Sequence, residues 1–135
     1  MTADLTAFLL ARVAEAEERA RAATTAPWLA ITIYPEGRAK VSRTEGNEDE
    51  DWAFIRGLSK ANAEHIAAND PIHVLAQCAA LRTVVELHGN DGDGACASCG
   101  SFTTLGYEQR YPCPTLLALA QPYADHPDFE EAWQQ

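Results

Sequence analysis

The chain has 135 residues, enough for one domain with its own hydrophobic core, with or without an appended helix. It carries 20 Asp plus Glu against 10 Lys plus Arg, a formal charge of -10, which repels nucleic-acid phosphates and anionic lipid and fits solubility or a basic protein partner. No run approaches the ~20 apolar residues of a membrane span, and the first residues lack the basic start of a signal peptide. The expected compartment is the cytoplasm, where four cysteines read as thiols or metal ligands before disulfides.

The pattern predicts a small single domain over 1–135, α+β and mostly helical. Its parts are an N-terminal helix in 1–26, a hairpin over 28–44, a helical segment over 59–88, a zinc module over 88–121 and a helical tail over 122–135. In the first helix, about Leu5 to Ala23, Asp4 or Thr2 supplies the N-cap. Leu5, Phe8, Leu9, Val13 and Ala16 recur at three and four and make an apolar stripe. Glu15 with Arg19 and Glu17 with Arg21 have the spacing of i,i+4 ion pairs. The second half of this helix has only alanine to bury, so a coiled-coil seam does not persist, although self-association through it is one possible partner mode.

Trp28 to Tyr34 alternates as a strand, with Trp28, Ala30, Thr32 and Tyr34 on one side and Leu29, Ile31 and Ile33 on the other. Pro35-Glu36-Gly37 is a turn and Ala39 to Thr44 the returning strand. Both sides of the first strand carry apolar groups, so one face is expected to meet a helix. Glu45 to Asp51 is an acidic loop without EF-hand spacing, read as solvated. Trp52, Phe54 and Ile55 read either as a short helical turn packing back onto the core or as an exposed aromatic patch, and the core is the expectation. Ser59 caps a short helix to Ala68, in which His65 has no ligand-like neighbour.

Asp70-Pro71 opens the next helix, Asp as cap and Pro at the first position, and Gly89 closes it. Val74, Cys78, Leu81, Val85 and His88 step by four and three along one face. Cys78 stands ten residues before His88, about 15 Å along the axis at ~1.5 Å per residue, too far to share an ion. It reads as a small buried hydrophobe.

His88, Cys96, Cys99 and Cys113 supply one imidazole and three thiols, a complete set for a closed tetrahedral Zn2+ site, one per chain. Gly89 to Gly94 is a flexible acidic approach. Cys96-Ala97-Ser98-Cys99-Gly100 has the pattern of a zinc knuckle, in which backbone N–H groups face the sulfurs. A hairpin is expected from Ser101 to Tyr111, and Cys113 falls at the N-cap of a helix beginning with Pro114. A thiolate is favoured at such a position. The order of knuckle, hairpin and ligand at a helix start resembles half of a treble-clef finger. With protein in all four positions no site remains open for water, so the metal is expected to be structural. A Cys96–Cys99 redox dithiol, an empty site, iron–sulfur ligation and replacement of His88 by Asp91 or Asp93 are the competing readings.

In the tail, Leu116, Leu117, Leu119 and Ala120 make a short helix that Pro122 interrupts. Asp125 and Pro127 are expected to start a last helix that docks Phe129 and Trp133 on the body. His126, beside Asp125 and Asp128, reads as structural. The segments Tyr111-Pro112-Cys113-Pro114-Thr115-Leu116 and Pro122-Tyr123-Ala124-Asp125-His126-Pro127-Asp128-Phe129 carry a resemblance. With His65 to His88, they resemble a family of small proteins from actinobacteria and their phages, classed as a domain of unknown function. The likeness covers the first helix, Pro27-Trp28 and nearly everything from His65 to Trp133; Leu29 to Leu58 is not covered well. This chain has Leu117 where family members usually carry a basic residue, and only Arg82 where they tend to have Lys-Arg, which weakens any basic groove there. The resemblance implies a bacterial or phage cytoplasmic protein and brings no activity, substrate or catalytic residue.

No HExxH, phosphate-binding glycine loop or nucleophile elbow is present, and no catalytic residue is assigned. The expected function is a zinc-stabilised protein-interaction module. Nucleic-acid binding through Arg38, Lys40 and Arg43 is the runner-up, and CxxC thiol redox chemistry comes behind it.

Overall fold

The computed structural model describes residues 4–24, 26–33, 37–43, 53–100 and 110–135. The elements are α1 (Leu5–Ala22), β1 (Trp28–Ile33), β2 (Arg38–Arg43), β3 (Ala53–Leu58), α2 (Lys60–Ala68), α3 (Pro71–Leu87) and α4 (Pro114–Ala120). Two 3-10 turns, Gln121–Tyr123 and Glu131–Trp133, complete the order. The fold is α+β and mostly helical, with a small antiparallel sheet in the N-terminal half. Contacts divide the chain into two compact units, Ala16–Cys78 and Met1–Glu15 with Ala79–Gln135.

In the first of these units the sheet order is β1-β2-β3, and α2 packs on β1 and β2. Which face is buried is decided by β2. Pairing runs from Trp28 opposite Arg43 to Ile33 opposite Arg38. It sets Ala30 and Thr32 beside Val41 and Ala39, and Leu29 and Ile31 beside Ser42 and Lys40. The Trp28 and Ala30 side joins the core of Ala39, Val41 and Ala63, while Leu29 and Ile31 stay 46% and 38% exposed. Burying Lys40 with them would cost more than burying the two aliphatic side chains would return.

The expected helical turn near Phe54 is instead the strand β3, paired antiparallel to β2 through Val41–Ile55 and Ala39–Leu58. Register shifts on this pairing, with Gly57 at φ 72, let Phe54 and Ile55 both reach the core. Phe54 meets Trp28 with ring centroids 5.0 Å apart, so the expected packing of this segment holds although its backbone state does not. The acidic run 45–51, Trp52 and the expected hairpin strands across 101–109 lie outside the described residues.

Caps form where the sequence places them. Ser59 Oγ accepts from Asn62 N–H at 3.2 Å. Asp70 Oδ1 accepts from His73 N–H at 2.8 Å, and Asp70 Oδ2 takes the Trp28 N–H at 3.3 Å, which ties the first strand to the start of α3. Asp4 Oδ1 accepts from Thr6 N–H at 3.1 Å. Glu17 meets Arg21 as expected, at 3.7 Å, but Glu15 pairs with Arg12 at 2.7 Å rather than with Arg19.

The second unit buries the first half of α1. Leu5, Phe8 and Leu9 join Val85, Cys96, Cys113, Leu116, Ala120 and Trp133 in one cluster. Phe8 is ringed by Tyr123, Phe129 and Trp133 at centroid distances of 6.2, 6.1 and 5.0 Å. The two tail aromatics therefore dock as expected. The backbone that carries them is not the expected helix. Residues 124–128 form turns closed by His126 N–H to Tyr123 O and Phe129 N–H to His126 O, both 2.9 Å, and Glu130 is extended. Gln121 holds this tail: its Nε2 donates to Leu117 O and to Trp133 O, each at 2.8 Å.

Candidate metal centre

His88 immediately follows the last residue of α3, its N–H still bonded to Val84 O at 3.2 Å. The chain then turns through an ordered loop, where the sequence suggests only a flexible approach. Asn90 Oδ1 accepts from Gly92 and Gly94 N–H at 2.9 and 3.3 Å. Asp91 Oδ1 accepts from Asp93 and Ala95 N–H at 2.8 and 3.1 Å. Gly92 and Gly94 have φ of 101 and 88, a region side chains with a Cβ rarely adopt. Ala97 N–H returns to Gly89 O at 2.9 Å, and Asn90 bridges to Cys96. This turn brings Cys96 back beside His88.

The knuckle is closed by Gly100 N–H to Cys96 O at 2.6 Å and Cys99 N–H to Cys96 Sγ at 3.4 Å. Ser98 Oγ bonds Leu87 O and fastens the knuckle to the end of α3. Cys113 is the N-cap of α4, with Pro114 at the first helical position as expected. Tyr111 N–H to Gly94 O at 3.0 Å, beside the bridge from Arg110 to Ala95, carries the segment just before Cys113 onto the loop.

These supports bring His88, Cys96, Cys99 and Cys113 together, with all four ligand atoms within 4.8 Å of one another. From His88 Nδ1, the sulfurs of Cys96, Cys99 and Cys113 stand at 3.4, 3.4 and 3.5 Å. A tetrahedral zinc ion with ~2.3 Å Zn–S and ~2.0–2.1 Å Zn–N bonds separates its nitrogen and sulfur ligands by about 3.6 Å. The nitrogen–sulfur separations of the cluster are thus compatible with a metal site. Cys96 and Cys113 are 1% and 0% exposed, His88 and Cys99 partly so.

The electrostatics fit a site that a cation completes. Burial pushes the Cys99 thiol up, to about 11, helped by the Cys96 thiol and the neighbouring sulfur charges. Burial also acts upward on Cys113, but the N–H groups of Leu116 and Thr115 and the Cys96 and Cys99 thiols outweigh it and lower that pKa. Three sulfurs this close cannot all ionise without a cation between them.

Cys78 is 3% exposed and outside the cluster. Asp91 spends a carboxylate oxygen on the loop backbone, and neither it nor Asp93 joins the cluster in place of His88. His126 has a structural setting: its Nδ1 accepts from Asp128 N–H at 3.1 Å, Arg12 Nη1 lies against the ring nitrogens and closest to Nε2, and its ring packs on Phe8. Arg12, 7% exposed, lies 5.1 Å from the Phe8 centroid and was not singled out by sequence reasoning; it stands as a charge inside the apolar period of α1. Tyr111 was missed as a support: its hydroxyl bonds Asp4 Oδ1 and meets Thr6 Oγ1 at 3.0 Å. Burial, followed by the Asp4 hydrogen bond, raises its pKa.

The molecule is thus a small α+β protein with a His/Cys cluster whose geometry is compatible with a metal site. It belongs to a Family of unknown function (DUF6221), the match spanning residues 2–135. That span includes the sheet, which the resemblance read from the sequence covers poorly. No curated protein and no solved structure matches the chain. Among the described residues, no helix is long and apolar enough to cross a membrane.

Proposed function

We propose that this protein is a zinc-stabilised interaction module of a bacterial or phage cytoplasm. One Zn2+ per chain is held by His88, Cys96, Cys99 and Cys113, with a structural role. The observation that carries the reading is the convergence of these four ligand atoms within 4.8 Å. Four protein ligands fill a tetrahedral shell, which leaves no position for substrate or an activated water. The whole chain 1–135 acts as one domain, with a knuckle and helix-start arrangement of treble-clef type. The net charge of -10 favours a basic protein partner over nucleic acid. Self-association through α1 is the weaker partner mode, because Leu5, Phe8, Leu9 and Val13 are already buried.

Affinity capture with the zinc-loaded chain, followed by reconstitution from purified components, tests this reading. The expected result is a stoichiometric complex with one protein, lost when the metal is stripped. Binding of single-stranded or duplex nucleic acid at low salt, with no protein complex, would replace it with the nucleic-acid reading.

A further inference from the structure

β1 is an edge strand. It pairs with β2 on one side, and among the described residues no strand lies on the other. Trp28 shows which peptide groups face the open side: its N–H leaves the sheet to reach Asp70 Oδ2 at 3.3 Å. Ile33, of opposite parity, turns its carbonyl into the hairpin, where it accepts from Gly37 N–H at 3.1 Å. Alternation along the strand therefore points the N–H and C=O groups of Leu29, Ile31 and Ile33 toward β2 and those of Ala30 and Thr32 outward. Among the described residues, neither Ala30 nor Thr32 bonds to another element.

Proteins usually blunt such an edge with a charge, a proline or a bulge. β3, the opposite edge of the same sheet, is treated this way: it carries Arg56, Gly57 at φ 72 and a pairing with register shifts. β1 carries none of these devices. Trp28-Leu29-Ala30-Ile31-Thr32-Ile33 has no charge, pairs regularly along its whole length and is rich in strand-forming residues. It also shows Leu29 and Ile31 to solvent.

Charge selects the occupant of this edge. A basic segment would lie two strand spacings, about 10 Å, from Arg38, Lys40 and Arg43 of β2 and be repelled. An acidic segment would add to the charge of -10, and Lys40 and Arg43 already have partners. A neutral apolar strand meets neither objection, and β1 is itself such a strand. Its register is self-complementary. With a two-fold axis at Ile31, Ala30 stands opposite Thr32 of a second copy, and the two exchange both N–H···O=C bonds. Leu29 then meets Ile33 and Ile31 meets Ile31, an aliphatic row across the axis that brings no like charges together.

We propose that β1 is a self-pairing edge, by which two copies of the chain join β1 to β1 antiparallel about an axis at Ile31 and form one continuous sheet. The proposal goes beyond the zinc-module reading and does not rest on it: β1 belongs to the Ala16–Cys78 unit, which contains none of the proposed metal ligands.

The test is sedimentation velocity and amide hydrogen exchange on the zinc-loaded full chain, from about 1 µM to about 1 mM. Strand pairing of this length is a small interface, so the expected dissociation constant is on the order of 100 µM. With rising concentration the Ala30 and Thr32 amides should gain protection. Ile31→Lys places like charges face to face at the axis and should weaken the dimer about tenfold, and Ile31→Glu should do the same. An equimolar mixture of the two variants should regain a dimer close to the native affinity. A native chain that stays monomeric throughout, a dimer that Ile31→Lys leaves unchanged, or a mixture that fails to pair would overturn the proposal. So would a dimer whose protected amides lie on α1 and not at Ala30 and Thr32. Should the variants lose their native circular dichroism, the native chain decides: protection gained at Ala30 and Thr32 supports the edge, and its absence overturns it.

Discussion

Gly100 closes on Cys96: its N–H donates to the Cys96 carbonyl at 2.6 Å, and a Cβ built on Gly100 would stand 2.6 Å from that same oxygen and 2.8 Å from Ala95 Cβ. The knuckle can tighten around its sulfurs only because residue 100 has no side chain. Gly100→Ala is expected to destabilise the zinc-loaded protein by about 1–3 kcal/mol and to weaken metal binding. Gly89→Ala is the control. Its Cβ would meet only Glu86 O, at 3.4 Å, so its cost should stay within about 1 kcal/mol. Thermal unfolding of both variants, with and without a chelator, checks the difference.

The four cysteines divide by geometry. Cys113 touches His88 at 3.5 Å, whereas Cys78 is buried outside the cluster. Cys78→Ala should keep full metal content and cost about 1 kcal/mol, as loss of a small buried group does. Cys113→Ser should lose the metal and much of the cooperative unfolding transition. Elemental analysis beside circular dichroism melts separates the two.

Metal affinity should climb with pH. Zinc binds thiolates, and a thiol near 11, as at Cys99, is protonated at neutral pH and must give up its proton on binding. Each such proton makes log K rise by about one per pH unit below the thiol pKa. The lowered pKa of Cys113 acts the other way: once that thiol is already ionised it contributes no further slope. The expected gain is therefore at least about tenfold per pH unit between pH 6 and 8. Competition against a chromophoric chelator across this range measures it, and a flat response would count against thiolate ligation.

Tyr111 links the segment before Cys113 to the start of α1 through Asp4 and Thr6. Tyr111→Phe removes those hydrogen bonds and keeps the ring. The expected cost is about 1–2 kcal/mol, with zinc stoichiometry unchanged. Chemical denaturation of the zinc-loaded variant gives the number.

Much of this architecture was legible in the chain because short-range rules govern it. Ser59, Asp70-Pro71 and Pro114 mark helix starts by capping chemistry that depends on only a few neighbours. The convergence of His88, Cys96, Cys99 and Cys113 was legible because the CxxC spacing and the two flanking helix ends hold these side chains close together. β3 was hidden because Phe54 and Ile55 declare burial but not backbone state; pairing with β2, through a register shift, makes them a strand. The buried side of β1 was equally ambiguous until β2 placed Lys40 beside Ile31. In the tail, the Phe129 and Trp133 spacing suggests a helix. Turns and the two carbonyl contacts of Gln121 deliver the same aromatics by another path. That path depends on partners distant in sequence, so periodicity could not reveal it.

The most direct test of the central claim is the metal content of the chain purified without added zinc, measured beside His88→Ala and Cys113→Ala. The account predicts close to one zinc per chain in the native protein and loss of bound zinc in both variants. A metal-free native protein whose Cys96 and Cys99 oxidise readily to a disulfide would contradict it, and would make the dithiol the chemistry to pursue.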